Sequence, residues 1–261
     1  MMLRFAQSTQ LLWFGQGPNK LSRWIKLFRL SLRPSRRILG FDVQCLSPKL
    51  LLQLYHEVFA REEYLFSCDT EAPIILDCGA NIGMATLFFK WLYPQSGITA
   101  FEPDPTTFQI LRLNIQQNHL EDVTAHNVAL WDQHGEISFY VPQHEPGSLR
   151  MSCNPSRAQG RQITVPSRRL SDYIEGPIDL LKLDVEGAEH RVICDLVQSG
   201  KIEWIRQMIV EYHHNMPGQP TQLADLLRTL ENCGLHYQIG SSVSSVTQRD
   251  LFQDIMVYAC R

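Results

Sequence analysis

Short apolar runs alternate with longer helical stretches from about residue 74 onward, and that alternation limits the fold of this chain more than any other feature. Ile74-Ile75-Leu76 ends at Asp77 and a glycine-bearing turn, after which residues 82–93 have helical character and stop at Pro94. Residues 98–101 form a second strand, closed by Glu102-Pro103-Asp104-Pro105. Thr106 can cap a helix reaching about residue 119, and residues 123–127 make a third strand. Strand 178–184, helix 187–199, strand 207–211 and a helix from Thr221 to Cys233 repeat the unit. Strands separated by helices of roughly ten residues or more specify a doubly wound α/β fold, a mostly parallel sheet with helices on both faces. Residues 235–239 and 255–260 have no helix between them, which predicts one antiparallel pair at an edge. Two β-like stretches, 137–141 and 163–165, flank a polar segment (residues 144–160) that resembles a mobile loop.

Ahead of this core lie a helical stretch near residues 50–63 and a basic arm. Residues 1–41 hold eight Lys or Arg and no Asp or Glu, leaving 16 basic against 27 acidic residues in the remainder. Leu21, Trp24, Ile25, Phe28 and Leu32 recur at helical spacing between Lys20, Arg23, Lys26 and Arg29, and Pro34 ends the pattern. The chain thus divides into an arm with an amphipathic helix, residues 1–40, and one domain, residues 41–261. The apolar stripe of the arm can pack on the domain. Residues 20–37 can alternatively make peripheral contact with an anionic membrane, or the acid-poor arm can serve as a targeting segment.

Seven widely spaced cysteines with no Cys-x-x-Cys pair suggest neither zinc nor a redox couple, and they point to a reducing compartment. No apolar run approaches the roughly 18 residues of a membrane span. The expectation is a cytoplasmic protein.

The turn at Asp77-Cys78-Gly79-Ala80-Asn81-Ile82-Gly83 is a strand end, a tight bend and a helix start, where open α/β sheets bind ligands. Its glycines admit close backbone approach, and the helix N-terminus favours negative charge. Glu102 ends the next strand, where a carboxylate can accept both hydroxyls of an adenosine ribose. The bend lacks the middle glycine that admits a pyrophosphate, and Asp77 would repel phosphates but welcome an ammonium. A nicotinamide dinucleotide is thereby disfavoured. An amino-acid end joined to a ribose, as in S-adenosyl-L-methionine, suits both facts.

Asp77 to Gly83, Phe101-Glu102-Pro103-Asp104, Asn127-Val128-Ala129-Leu130 and Leu181-Lys182-Leu183-Asp184-Val185-Glu186-Gly187-Ala188-Glu189 together resemble the signatures of FkbM-type methyltransferases. The last of these is the most specific, and the resemblance runs from about Tyr64 to at least Val210. It implies a Rossmann-like class I fold with a seven-stranded sheet. It also implies S-adenosyl-L-methionine across Asp77, Gly79, Ala80, Asn81 and Gly83, with Glu102 on the ribose and Asn127, Val128 and Ala129 beside the adenine. The implied activity is O-methylation, usually of a sugar or other small-metabolite hydroxyl.

An alcohol acceptor must lose a proton, which calls for a general base. Alternation puts Lys182, Asp184 and Glu186 on one side of an extended chain, and His213 follows the next strand. The base is open among Asp184, Glu186 and His213, with Lys182 as their counter-ion or a substrate contact. Asp184, Glu186 and His213 could together hold a divalent metal, although no spacing demands one. Two other readings stand beside a small-molecule acceptor. One is an RNA or protein methyltransferase that holds its substrate with the arm, against which the acidic body argues. The other is a non-catalytic module at a membrane surface.

Overall fold

The computed structural model describes residues 35–143, 145, 147–158, 160–241 and 252–261; the helix expected over residues 20–33 lies outside them. The first elements are a hairpin of β1 (Ser35–Ile38) and β2 (Phe41–Gln44), then α1 (Pro48–Leu54), capped by the Ser47 hydroxyl on Leu50 N–H at 3.1 Å. Instead of continuing as one helix to residue 63, α1 widens into a π-helical turn, Tyr55–Ala60.

The main sheet draws on β3 (Ile74–Cys78), β4 (Gly97–Phe101), β5 (Val123–His126), β9 (Leu180–Leu183), β10 (Gln207–His214), β11 (His236–Ser241) and β12 (Gln253–Cys260). Its order is β11-β12-β10-β9-β3-β4-β5, with every pairing parallel except those of β12. The expected antiparallel edge pair is therefore present, and β12 also pairs with β10. Helices α2 (Met84–Leu92), α3 (Pro105–Gln117), α4 (Glu189–Gln198) and α5 (Leu223–Asn232) connect the strands. The β-like stretches around the polar segment form a separate three-stranded sheet, ordered β6 (Ala129–Leu130), β8 (Gly160–Arg168) and β7 (Gly135–Pro142).

One expected cap is replaced by a neighbour, and α5 starts without a side-chain cap. Asp104, not Thr106, caps α3 by accepting from Thr107 N–H at 2.8 Å, with Pro105 pre-set at the first helical position. Gln222 precedes α5 with no side-chain cap, while the Thr221 hydroxyl turns to Asn215 at 3.3 Å.

Strand alternation divides the core. Leu76, Leu181, Met208 and Val210 pack on the face covered by α4 and α5; Ile75, Leu180 and Ile209 pack on the face covered by α1 and α2. By the same period Asp77, Lys182 and Glu211 belong to the second face. Lys182 lies in register with Asp77 on β3 and Ile209 on β10, so the sheet itself supplies the partner that a lysine in an apolar strand requires.

Candidate active site

Strand order reverses between β3 and β9, and a cleft of about 770 Å³, open to solvent, lies beyond their carboxyl ends. One wall is the bend Gly79, Ala80 and Asn81. Gly79 has φ +79°, and a Cβ there would stand 1.7 Å from the backbone oxygen of Asp184, so the β3 and β9 turns meet where only glycine fits. The N–H groups of Gly79 and Ala80 both donate to Phe101 O, at 3.0 and 2.8 Å, tying the bend to the end of β4.

Glu102 stands on the adjoining wall, 3% exposed. Its Oε2 accepts Asn81 N–H at 3.0 Å and its Oε1 accepts Asp104 N–H at 2.9 Å. A carboxylate offers about four acceptor positions, so a buried group with two donors keeps capacity for two more. Burial raises its pKa to about 8 despite those donors. Phe101, Pro103, Val128, Ala129 and Leu130 give this end an apolar lining. Spare acceptor capacity beside an apolar slot fits a ribose and a purine.

Asp77, Gly83 and Asn127 stand behind the wall. Asp77 is fully buried, accepting from the Thr86 hydroxyl at 2.6 Å and lying 3.5 Å from Lys182 Nζ. With a lysine already against it, Asp77 fixes the bend instead of offering a free carboxylate to an ammonium. Gly83, φ +92°, starts α2 against Leu111. The Asn127 amide donates to Glu102 O at 2.8 Å and Pro103 O at 3.0 Å, holding the Glu102 segment from behind.

At the other end of the cleft, Lys182, Asp184 and Glu186 line the surface. Lys182 Nζ donates to Gly79 O at 2.6 Å and lies 3.3 Å from Asp184 Oδ2. Burial alone would lower the Lys182 pKa, but Asp184 and Asp77 more than offset it and hold the ammonium charged. Glu186, at φ +56°, leaves the extended path after β9 and pairs with Arg157 at 2.6 Å and His213 at 3.1 Å. His213 is buried behind the cleft, its Nδ1 2.8 Å from Glu189 Oε1. Burial pushes its pKa down, yet Glu186 and Glu189 raise it well above the ordinary imidazole value. Nδ1 thus faces Glu189 and Nε2 faces Glu186, with Asp184 Oδ1 also 3.9 Å from Nε2, so one ligand atom each of Asp184, Glu186 and His213 lies within 4.8 Å of the others.

Several lining groups come from outside the recognisable motifs. Leu54 and Val58 reach the cleft from α1 and the π-helical turn, and Tyr64 from the segment after it. No motif marks them as site residues. The segment expected to be a mobile loop is tethered across the cleft instead: Asn81 donates to Gly147 O at 3.3 Å, and Ser152 to Glu186 O at 2.6 Å.

A seven-stranded sheet with β12 inserted antiparallel between β10 and β11, and a carboxylate one strand over from a glycine bend, defines a Rossmann-like class I methyltransferase. The family model described as the methyltransferase FkbM domain matches residues 77–237, and the chain belongs to that family, which makes it an S-adenosyl-L-methionine-dependent methyltransferase. It is similar to "Methyltransferase 1" of Beauveria bassiana, 32% identical over 170 residues that cover 57% of this chain and 68% of the relative. It is 28% identical over 214 residues to the 31-O-demethyl-FK506 methyltransferase FkbM of Streptomyces tacrolimicus, covering 67% of this chain and 79% of that one. The crystal structure of methyltransferase FkbM from Methylobacillus flagellatus shares the fold, with a TM-score of 0.50 at 17% identity over 91% of this chain and 59% of that chain. Among the described residues no helix is long and apolar enough to cross a membrane, and all seven cysteines are free thiols.

Proposed function

We propose that the protein O-methylates a hydroxyl on a sugar or other small metabolite, with Asp184 as the general base. S-adenosyl-L-methionine, when bound, supplies an electrophilic methyl group on a sulfonium. Glu102 would accept the ribose hydroxyls, Gly79, Ala80 and Asn81 would receive the amino-acid end, and Val128 and Ala129 would border the adenine. An acceptor hydroxyl that took the methyl, with the carbon–sulfur electron pair leaving on sulfur, would release its proton to Asp184. The in-line geometry this requires is an alignment that a fixed cleft can supply.

One observation supports this choice of base. Of the three candidates, Asp184 lines the cleft and is paired through Oδ2 to Lys182, whereas Glu186 is engaged by Arg157 and His213, and His213 is a buried cation. Lys182 serves as counter-ion to Asp184. The name of the Streptomyces relative, which specifies a 31-O-demethyl substrate, supports a hydroxyl acceptor. The arm, whose helix lies outside the described residues, has no role in this reading.

The test is release of S-adenosylhomocysteine from S-adenosyl-L-methionine over a panel of sugars and hydroxylated metabolites, beside RNA and protein fractions. Wild type is expected to turn over members of the first panel only. Asp184→Asn should lose about a hundredfold or more in turnover and still bind S-adenosylhomocysteine. Turnover confined to RNA or protein and abolished by removing residues 1–40 would sink the proposal.

A further inference from the structure

Tyr64 reaches the cleft from the segment before β3, far in sequence from the strand ends that supply the other polar groups. Its ring is 5% exposed and lies 5.2 Å from Lys182 Nζ. Its hydroxyl sits between two carboxylates on adjacent parallel strands, 3.0 Å from Glu211 Oε2 on β10 and 3.4 Å from Asp184 Oδ2 at the end of β9.

A phenol has one proton to donate. Two ionised carboxylates around it would leave one oxygen–oxygen contact unsatisfied in a buried place, which is costly. One further proton completes the chain, with Glu211 donating to Tyr64 and Tyr64 donating to Asp184. Glu211 is the member that carries it. Asp184 has the Lys182 ammonium 3.3 Å away as its counter-ion. Glu211 is held well above the ordinary carboxylate range by burial and by the negative charge of Asp184, Asp254 and Glu186, with His213 opposing. The remaining groups facing this trio are Glu57 and Glu63 from the N-terminal segment and Tyr258 on β12. Lys182 and Tyr64 both engage Oδ2 of Asp184, while Oδ1 lies 3.9 Å from His213 Nε2.

We propose that Tyr64 and Glu211 hold one shared proton behind Asp184 and act as a positioning pair, fixing Oδ2 and with it the carboxylate that meets the acceptor hydroxyl. The pair explains why a neutral acid is buried beside the base: a second negative charge there would leave the phenol one proton short and would repel Asp184. This rests on Asp184 being the base.

The experiment is a carbon-13 NMR titration of side-chain carboxyl carbons in the full-length, cofactor-free protein. Wild type is compared with Tyr64→Phe, Glu211→Gln and Asp184→Asn, the last two also assigning the signals. In wild type Glu211 is expected to stay protonated through neutral pH. Tyr64→Phe keeps the ring against Lys182, removes the donor, and should shift the Asp184 carboxyl signal at constant pH. Calorimetry should find S-adenosylhomocysteine binding by Tyr64→Phe within about twofold of wild type. Turnover on an acceptor from the panel should fall about tenfold in kcat with KM little changed. Glu211→Gln, whose amide donates to the phenol as the acid does, should retain most turnover and leave the Asp184 signal in place. Glu211 titrating in the ordinary range in wild type would overturn the proposal, as would a Tyr64→Phe protein whose Asp184 signal does not move. Asp184→Asn with undiminished turnover removes the base assignment itself. An unmoved Asp184 signal alongside an inactive Asp184→Asn removes only the role given to Tyr64 and Glu211.

Discussion

Glu102 Oε2 accepts the backbone N–H of Asn81 at 3.0 Å, so the carboxylate ending β4 is bonded directly to the bend that ends β3. The two halves of the cofactor cleft therefore form one hydrogen-bonded unit, and a ligand gripped by one is positioned against the other.

Ligand affinity should carry the titration of Glu102. In the ligand-free protein burial holds its pKa at about 8, so below that pH the carboxyl is mostly neutral and one oxygen is itself a donor. Two ribose hydroxyls need the ionised form. Affinity for S-adenosylhomocysteine is expected to rise with pH from about 6 and level off above about 8. Glu102→Ala should weaken binding roughly tenfold or more, about 1.4 kcal/mol, and Glu102→Gln should flatten the dependence. Calorimetry across pH checks all three, and an affinity independent of pH in wild type would show that Glu102 does not contact the ligand.

Gly79 is the tightest contact between the β3 and β9 turns. A methyl group built there meets Asp184 O at 1.7 Å, and φ +79° is itself unfavourable for alanine. Gly79→Ala should destabilise the protein by about 2 kcal/mol or more and displace the loop bearing Asp184. Urea denaturation with and without S-adenosylhomocysteine measures both effects, and a variant of wild-type stability would mean that the turns are free to separate.

The legible parts of this chain are those governed by local rules. Alternation at residues 75–76, 180–181 and 208–210 carries the strands, and the bend at Asp77 and the carboxylate Glu102 carry the cleft. What alternation cannot convey is which groups end up paired. Asp77 reads as a ligand carboxylate because its neighbour in register, Lys182, is more than a hundred residues away; only the β3–β9 pairing brings the two together. His213 reads as a neutral base for the same reason, since its partners Glu186 and Glu189 lie in the turn after β9 and at the start of α4. Leu54 and Val58 carry helical spacing and Tyr64 no periodic mark, and nothing local says that the three reach the cleft, because that is set by tertiary packing.

The Asp77–Lys182 pair should show as strong coupling. Lys182 is 2% exposed, and replacing it by Met leaves Asp77 buried with only Thr86 as a partner and Asp184 without its cation. Lys182→Met should cost roughly 3–5 kcal/mol. In Asp77→Asn/Lys182→Met the buried charge is gone, and the double variant should recover at least about 1 kcal/mol over the sum of the singles. Strict additivity in urea denaturation would mean that the two groups do not interact.

His213 gives the clearest pH signature of folding. Its folded pKa is raised well above the ordinary 6.5, because Glu186 and Glu189 outweigh the desolvation that pulls the other way. A raised folded pKa means that the folded state binds the proton more tightly than the unfolded chain. That stabilisation is fully present below about pH 6.5 and is lost as pH rises through the folded value. His213→Gln keeps a hydrogen-bonding side chain but cannot carry the charge. The stability difference between wild type and His213→Gln should therefore be largest near pH 6 and shrink as the pH is raised, read from urea denaturation at a series of pH values. A difference that instead widens with pH would mean that the imidazole is neutral when folded, and His213 would return as a candidate for the base.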